Sequence, residues 1–325
     1  AFRFLVATNL INMHNLGLVI NLESILEILA ENQASLKESS RAWVCTNLGN
    51  VYIRIGEYTK ALSFYTKALE IYDTITDLPG QGKVLSNVGD VALRLDDYDK
   101  AMAFYEKSLA VYRQIMDTSG QIKNLGNMGI ACADRGEHGK SISFYEKQLE
   151  ISRLTSDSKS EGNALGNLGL AYTYLGEHSR AIGFYKKQRQ IARQTNDERS
   201  EGNSLGNIGI AYASLSEHAK AIDFYKRQLE IHRRIGYVLG EGNALANMGL
   251  SYAKIGMHEE AHRCFDESSS IFRGLGLKHE VAQIEEMRRN SEHWIMRSIG
   301  VDPEKEKSSV FSDQRILMRS RRLKP

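Results

Sequence analysis

The chain has 325 residues, 42% of them hydrophobic, with 42 Lys and Arg against 40 Asp and Glu. Residues 299–325 hold 7 of the basic and 4 of the acidic side chains, leaving 35 and 36 in the rest, a near balance that excludes the basic face a nucleic-acid groove requires. Cys45, Cys132 and Cys264 fit no paired spacing, which excludes a disulfide framework and reads as small buried groups in a reducing, cytoplasmic setting.

Residues 1–36 come first. Segment 4–29 is apolar in places, but Asn9, Asn12, His14, Asn15 and Glu23 interrupt it. It is too polar for a membrane span and lacks the basic start of a signal peptide. Ile25 and Leu29 stand 40 residues before Tyr65 and Leu69, so 1–36 is expected to be a degenerate helical hairpin. A chain that opens at Ala1 rather than Met is expected to be cut from something larger.

Residues 37–278 repeat. Asparagine falls at 47, 87, 127, 167, 207 and 247, and glycine follows two positions after each, with no insertion between copies. Self-similarity at a fixed period of this length marks a solenoid, in which each unit packs mainly on its neighbours. Residues 157–196 show one copy. Asp157 can cap a helix, and Asp77, Asp117 and Asp197 recur in register with it. Leu165, Leu168 and Tyr172 are spaced i, i+3, i+7, which makes one apolar helix face. Gly176 is placed to stop that helix in a left-handed conformation, as are Gly56, Gly136 and Gly256. A second helix is predicted from about Ser179 through Ala181, Ile182, Tyr185, Ile191 and Ala192, and Asn196 and Asp197 turn into the next copy. Residues 279–298 are predicted to form a capping helix with Val281, Ile284 and Met287 inward. The tail, 299–325, carries Pro303 and a cluster of Arg319, Arg321, Arg322 and Lys324, and reads as mostly disordered.

Leu168, Gly169, Tyr172, Ala181 and Tyr185 resemble the tetratricopeptide repeat signature, and Leu48, Gly49, Tyr52, Ala61 and Tyr65 repeat it. The match covers about residues 41–280. The period here is 40 against the usual ~34, which implies longer helices, and the usual proline after the second helix is missing. The 40-residue form is similar to the Pins/LGN type of scaffold and to the sensor regions of large bacterial signalling ATPases. The resemblance implies an all-α fold: a right-handed α-solenoid of six regular helix pairs, with the degenerate hairpin and the capping helix at its ends. It also implies a scaffold or adaptor that binds a peptide or protein segment in a concave groove. Two alternatives stay open: a ligand-sensing or autoinhibitory region of a larger signalling protein, and a self-assembling array.

The resemblance places the first helix of each pair on the groove. One stripe of that helix, Asn163, Asn167, Leu170 and Tyr174, lies away from the core stripe. Across copies the candidate partner-binding residues are Asn87, Asn127, Asn167, Asn207 and Asn247; Asn163, Asn203 and Asn243; Ile130, Leu170, Ile210 and Leu250; and Tyr174. An amide donates and accepts, so it can read a peptide backbone of any sequence. The opposing reading is that the repeated asparagine only steadies helix packing. The two weigh equally at Asn47 and Asn87, and contact is favoured from Asn127 onward, where exposed isoleucine or leucine is expected beside it. Gly126, Gly166 and Gly206 invite either close helix packing or a close ligand backbone.

His138, His178, His218 and His258 are also 40 apart, in the turn between helices. Equivalent residues on successive pairs are too far apart to share an ion with ~2 Å bonds, so no metal is expected. Gln148, Gln188 and Gln228 replace a small residue and can form a ladder between repeats. The G-N-x-x-G-N-x-G runs lie inside amphipathic helices, not after a strand, so phosphate-loop and dinucleotide readings fail on context. Neither catalysis nor a cofactor is expected.

Overall fold

The computed structural model describes residues 37–298, with side chains as far as Asn290. The hairpin expected at 1–36 and the tail at 299–325 lie outside the described residues. Contacts divide the chain between Ser156 and Asp157 into two compact units. Among the described residues every element is a helix. The first unit holds α1 (Glu38–Arg54), α2 (Tyr58–Thr74), α3 (Leu78–Arg94), α4 (Tyr98–Gln114), α5 (Thr118–Asp134) and α6 (His138–Leu154). The second holds α7 (Ser158–Tyr174), α8 (His178–Gln194), α9 (Glu198–Ser214), α10 (His218–Arg234), α11 (Val238–Lys254), α12 (His258–Gly274) and α13 (Lys278–Ser298).

The repeat period comes from the connections. Each helix from α1 to α12 has 17 residues, and three residues lead to the next. The middle residue of every connection has positive φ: glycine at Gly56 (82°), Gly136 (85°) and Gly176 (78°), and a side-chain-bearing residue at Asp96 (57°), Met116 (55°) and Asn196 (54°). The third residue then bonds back to the finished helix, as from Glu57 N–H to the Tyr52 carbonyl and from Asp197 N–H to the Ala192 carbonyl, at 2.9 and 2.8 Å. Where that residue is Asp77, Asp117, Asp157 or Asp197, its carboxylate also accepts the N–H three residues ahead, at 3.0 Å each. Stop and start share three residues, so two 17-residue helices with their connections fill the 40-residue period.

Met116 bears the cost of this geometry without compensation, since its side chain is 84% exposed. A left-handed residue with a Cβ costs roughly 1–2 kcal/mol, part of which glycine gives back as chain entropy. Met116→Gly is therefore expected to stabilise the chain by about 0.5–1 kcal/mol, read as a higher urea midpoint. A lower midpoint would show that the Met116 side chain contributes packing.

Within the first unit each helix packs on the next, and α1 also touches α3 and α3 touches α5. Its core joins Leu48, Tyr65 and Tyr72 with Val84 and Val91, and continues through Tyr105, Leu125 and Met128. Consecutive helices of the second unit pack in the same way, with α9 touching α11 and α11 touching α13. Here Tyr185 packs with Ile208, and Tyr225, Leu245, Phe265 and Phe272 form a larger cluster. Ile284 and Met287 of α13 join that cluster with Val281 packed against it, while Glu285, Glu286, Arg288 and Arg289 are exposed.

The signature glycines sit beneath aromatic rings. A Cβ on Gly49, Gly89, Gly129, Gly169, Gly209 or Gly249 would meet the ring of Tyr65, Tyr105, Tyr145, Tyr185, Tyr225 or Phe265 at 2.3–2.8 Å. These glycines let the two helices of each pair approach.

Candidate partner-binding site

The odd-numbered helices carry the candidate stripe, and the two units treat it differently. In the first unit the repeated asparagine is part of the framework. Asn87 Nδ2 donates to Asn50 Oδ1 at 3.0 Å, and Asn127 Nδ2 donates to Asp90 Oδ1 at 2.8 Å. The same acceptors take the buried hydroxyls of the signature tyrosines: Tyr65 to Asn50 at 2.7 Å and Tyr105 to Asp90 at 2.8 Å. Lys123 lies 3.7 Å from the other Asp90 oxygen. Position 50 or 90 thus ties the tyrosine of its own repeat to the asparagine of the next. Burial, and then the Asp90 carboxylate, push the Tyr105 phenol far above its ordinary pKa, so it stays a donor.

Ile130 of the first unit and Leu170 and Ile210 of the second occupy that position and offer no acceptor. The Tyr185 hydroxyl instead lies 3.2 Å from Thr173 Oγ1, which donates to the Gly169 carbonyl at 2.9 Å. The outward stripe of α7, α9 and α11 therefore consists of amides, aliphatic groups and Tyr174. Asn163 is exposed, and Asn167, Leu170, Tyr174, Asn203, Asn207, Asn243 and Leu250 are half-buried.

Three expectations need correction. Ile210 is not an exposed anchor: it is 4% exposed and belongs to the hydrophobic cluster with Ala246, because α11 packs against α9. Asn87 and Asn247 are 8% and 5% exposed, so both lie at the junction of neighbouring helices rather than on an open face. The four histidines are the first residues of α6, α8, α10 and α12, not turn residues. In the first unit Ile130 is 38% exposed and Asn127 half-buried.

The other glycines have a local partner. A Cβ on Gly126, Gly166 or Gly206 would lie 2.8, 2.4 or 2.5 Å from the amide of Gln148, Gln188 or Gln228 on the paired helix. Where Ala68, Ser108 or Ser268 stands in place of that glutamine, the glycine position holds Thr46, Ser86 or Ala246. The glycines make room for glutamine, so close helix packing accounts for them. The expected glutamine ladder does not form, because Oε1 of each glutamine has no hydrogen-bond partner within the protein. Burial lowers the pKa of His178, and burial followed by the Lys254 charge lowers that of His218. No group of three or more His, Cys, Asp or Glu among the described residues is arranged to hold a metal ion.

A model of the tetratricopeptide repeat matches residues 38–114, 121–194 and 200–274. The chain belongs to the tetratricopeptide repeat family. Its helix pairs also resemble solved structures at low identity. Aspartyl phosphate phosphatase F from Bacillus subtilis superposes with a TM-score of 0.65 at 16% identity, covering 89% of this chain and 79% of that one. A signal-transduction ATPase with numerous domains and a tetratricopeptide repeat sensor, from Pyrococcus horikoshii, gives 0.62 at 15% identity, covering 86% of this chain and 44% of that one. A Rap protein complexed with competence and sporulation factor gives 0.54 at 14% identity, covering 85% and 81%. At these identities the likeness shows the fold. No curated protein matches the sequence at a significant level. Among the described residues of this tetratricopeptide repeat chain, no helix is long and apolar enough to cross a membrane.

Proposed function

We propose that the second unit is a protein-interaction module whose α7–α9–α11 face holds an extended, weakly charged segment. The observation that carries this reading is the outward stripe itself, where exposed Asn163 and half-buried Asn203 and Asn243 lie beside half-buried Leu170 and Leu250. This is amide beside aliphatic, the combination that suits an exposed peptide backbone with small apolar anchors. Asn163, Asn203 and Asn243 supply amides and Leu170, Leu250 and Tyr174 supply apolar contact. The structural likeness to a Rap protein complexed with competence and sporulation factor supports a peptide as occupant. A segment of another protein and a continuation of this chain would present the same chemistry to the face. Three free cysteines, all buried, suit a reducing cytoplasmic setting.

Panning random displayed peptides against the full chain tests the reading. The selected sequences are expected to be poor in charge and to bind at least about tenfold more weakly to Asn163→Ala plus Asn203→Ala. Both side chains reach solvent, so the double variant is expected to keep its stability within about 0.5 kcal/mol. Undiminished binding to the folded variant would place the segment elsewhere.

A further inference from the structure

Among the even-numbered helices α8 has an unusual charge. It carries Arg180, Lys186, Lys187, Arg189 and Arg193 and no Asp or Glu. Only Arg189 turns inward, to Glu201 at 3.1 Å. The other four are exposed. Arg180 meets Glu177 of the preceding connection at 2.7 Å and Arg193 lies 3.7 Å from Glu201. Among the described residues no carboxylate forms an ion pair with Lys186 or Lys187; Lys187 stands over the Phe184 ring at 5.6 Å.

Gly183 lies at the centre of this face. Its neighbours three and four residues away are Ser179, Arg180, Lys186 and Lys187. Glycine inside a helix is destabilising relative to alanine and normally answers to packing. Here it does not: a Cβ on Gly183 would meet nothing within 4 Å, unlike the signature glycines under their rings. Equivalent positions in other repeats hold Ser63, Ala103, Ser143, Asp223 and Arg263, so the repeat itself does not require glycine. A bare backbone ringed by cations allows another backbone to come close while its side chains reach the charges.

The neighbouring helix decides among anions. On α10 the cations are interleaved with exposed Asp223 and Glu230. Toward α10 the unbroken basic face thus ends within one helix width, about 10–12 Å. A membrane surface or a phosphate backbone carries continuous negative charge and would meet those carboxylates. A single narrow segment with spaced carboxylates would not.

We propose that the outer face of α8 around Gly183 is a second binding site, for a short acidic protein segment. It is separate from the amide face and does not depend on it. Binding of a labelled peptide of alternating Glu and Ser to the full chain, followed by fluorescence anisotropy, tests it. Gly183→Leu leaves the charge unchanged and fills only open space, so the protein is expected to keep or raise its denaturation midpoint while the peptide binds at least about tenfold more weakly. Lys186→Gln plus Lys187→Gln is expected to do the same, and Lys226→Gln on α10 to have little effect. The proposal is overturned if Gly183→Leu binds like the wild type, or if phosphatidylserine vesicles or a single-stranded oligonucleotide displace the peptide as well as unlabelled peptide does.

Discussion

Gly169→Ala is expected to destabilise the second unit by about 2–3 kcal/mol, within the range for forcing a methyl into a packed core. The added Cβ would stand 2.4, 2.6 and 2.8 Å from Cε1, Cδ1 and Cζ of Tyr185. These are ring atoms, and the ring cannot swing away. It is 2% exposed, its hydroxyl is held by Thr173, and Ala181 one turn earlier is fully buried. The strain must pass into the backbone by moving α8 off α7. Alanine's better helix propensity returns only about 1 kcal/mol. Gly183→Ala on α8 provides the contrast, because there the same methyl enters open space and only the gain remains. Urea unfolding of both variants measures the difference. Adding Tyr185→Leu to Gly169→Ala should recover part of the loss, since a smaller side chain vacates the space. A loss below about 0.5 kcal/mol for Gly169→Ala would show that the ring is loosely held.

These two glycines show what the sequence makes legible. Gly169 recurs at the repeat period beside a tyrosine 16 residues on, so pattern alone identifies it as part of the helix pair. Gly183 breaks the pattern, and only the space around it separates an idle glycine from one that leaves room. Helix number, the stops at Gly56, Gly136 and Gly176 and the caps at Asp77, Asp117, Asp157 and Asp197 were readable because each is a local rule, satisfied within a few residues. The burial of Ile210 is not legible locally because it depends on a helix one repeat later. The role of Asn127 was hidden for a similar reason: its acceptor, Asp90, is 37 residues away. The basic face of α8 vanished in the whole-chain total, where α12, with Glu259, Glu260, Asp266 and Glu267, offsets it. Charge becomes informative once it is summed by helix face.

Asp90→Ala is expected to cost the first unit about 2–3 kcal/mol, from two donors rather than from a lost ion pair. The Lys123 contact is 3.7 Å long and its side chain is 54% exposed, so it contributes little. The Tyr105 hydroxyl and the Asn127 amide both end on Asp90 Oδ1, and the Tyr105 residue is fully buried. Leaving a buried donor without an acceptor costs about 1–3 kcal/mol. Asp90→Asn should lose less than about 1 kcal/mol, because Asn50 already performs both tasks one repeat earlier. Asp90→Leu copies Leu170 but strands Tyr105, since the position of Thr173 is Leu93 in that repeat. Adding Leu93→Thr supplies the hydroxyl that Tyr185 uses and should recover about 1 kcal/mol, the net worth of one hydrogen bond. Denaturation of the first three variants and the double variant orders them as Asn above the Leu/Thr pair, and the pair above Leu alone. If Leu alone is as stable as the pair, Tyr105 finds another acceptor and the exchange between units is not governed by its hydroxyl. If the order holds, Asp90 and Thr173 are alternative ways to satisfy the tyrosine of a repeat, used at Tyr105 and Tyr185. The exchange also changes the surface: Leu170 stands half-buried on the outward stripe beside exposed Asn163, where Asp90 holds a carboxylate tied to two donors.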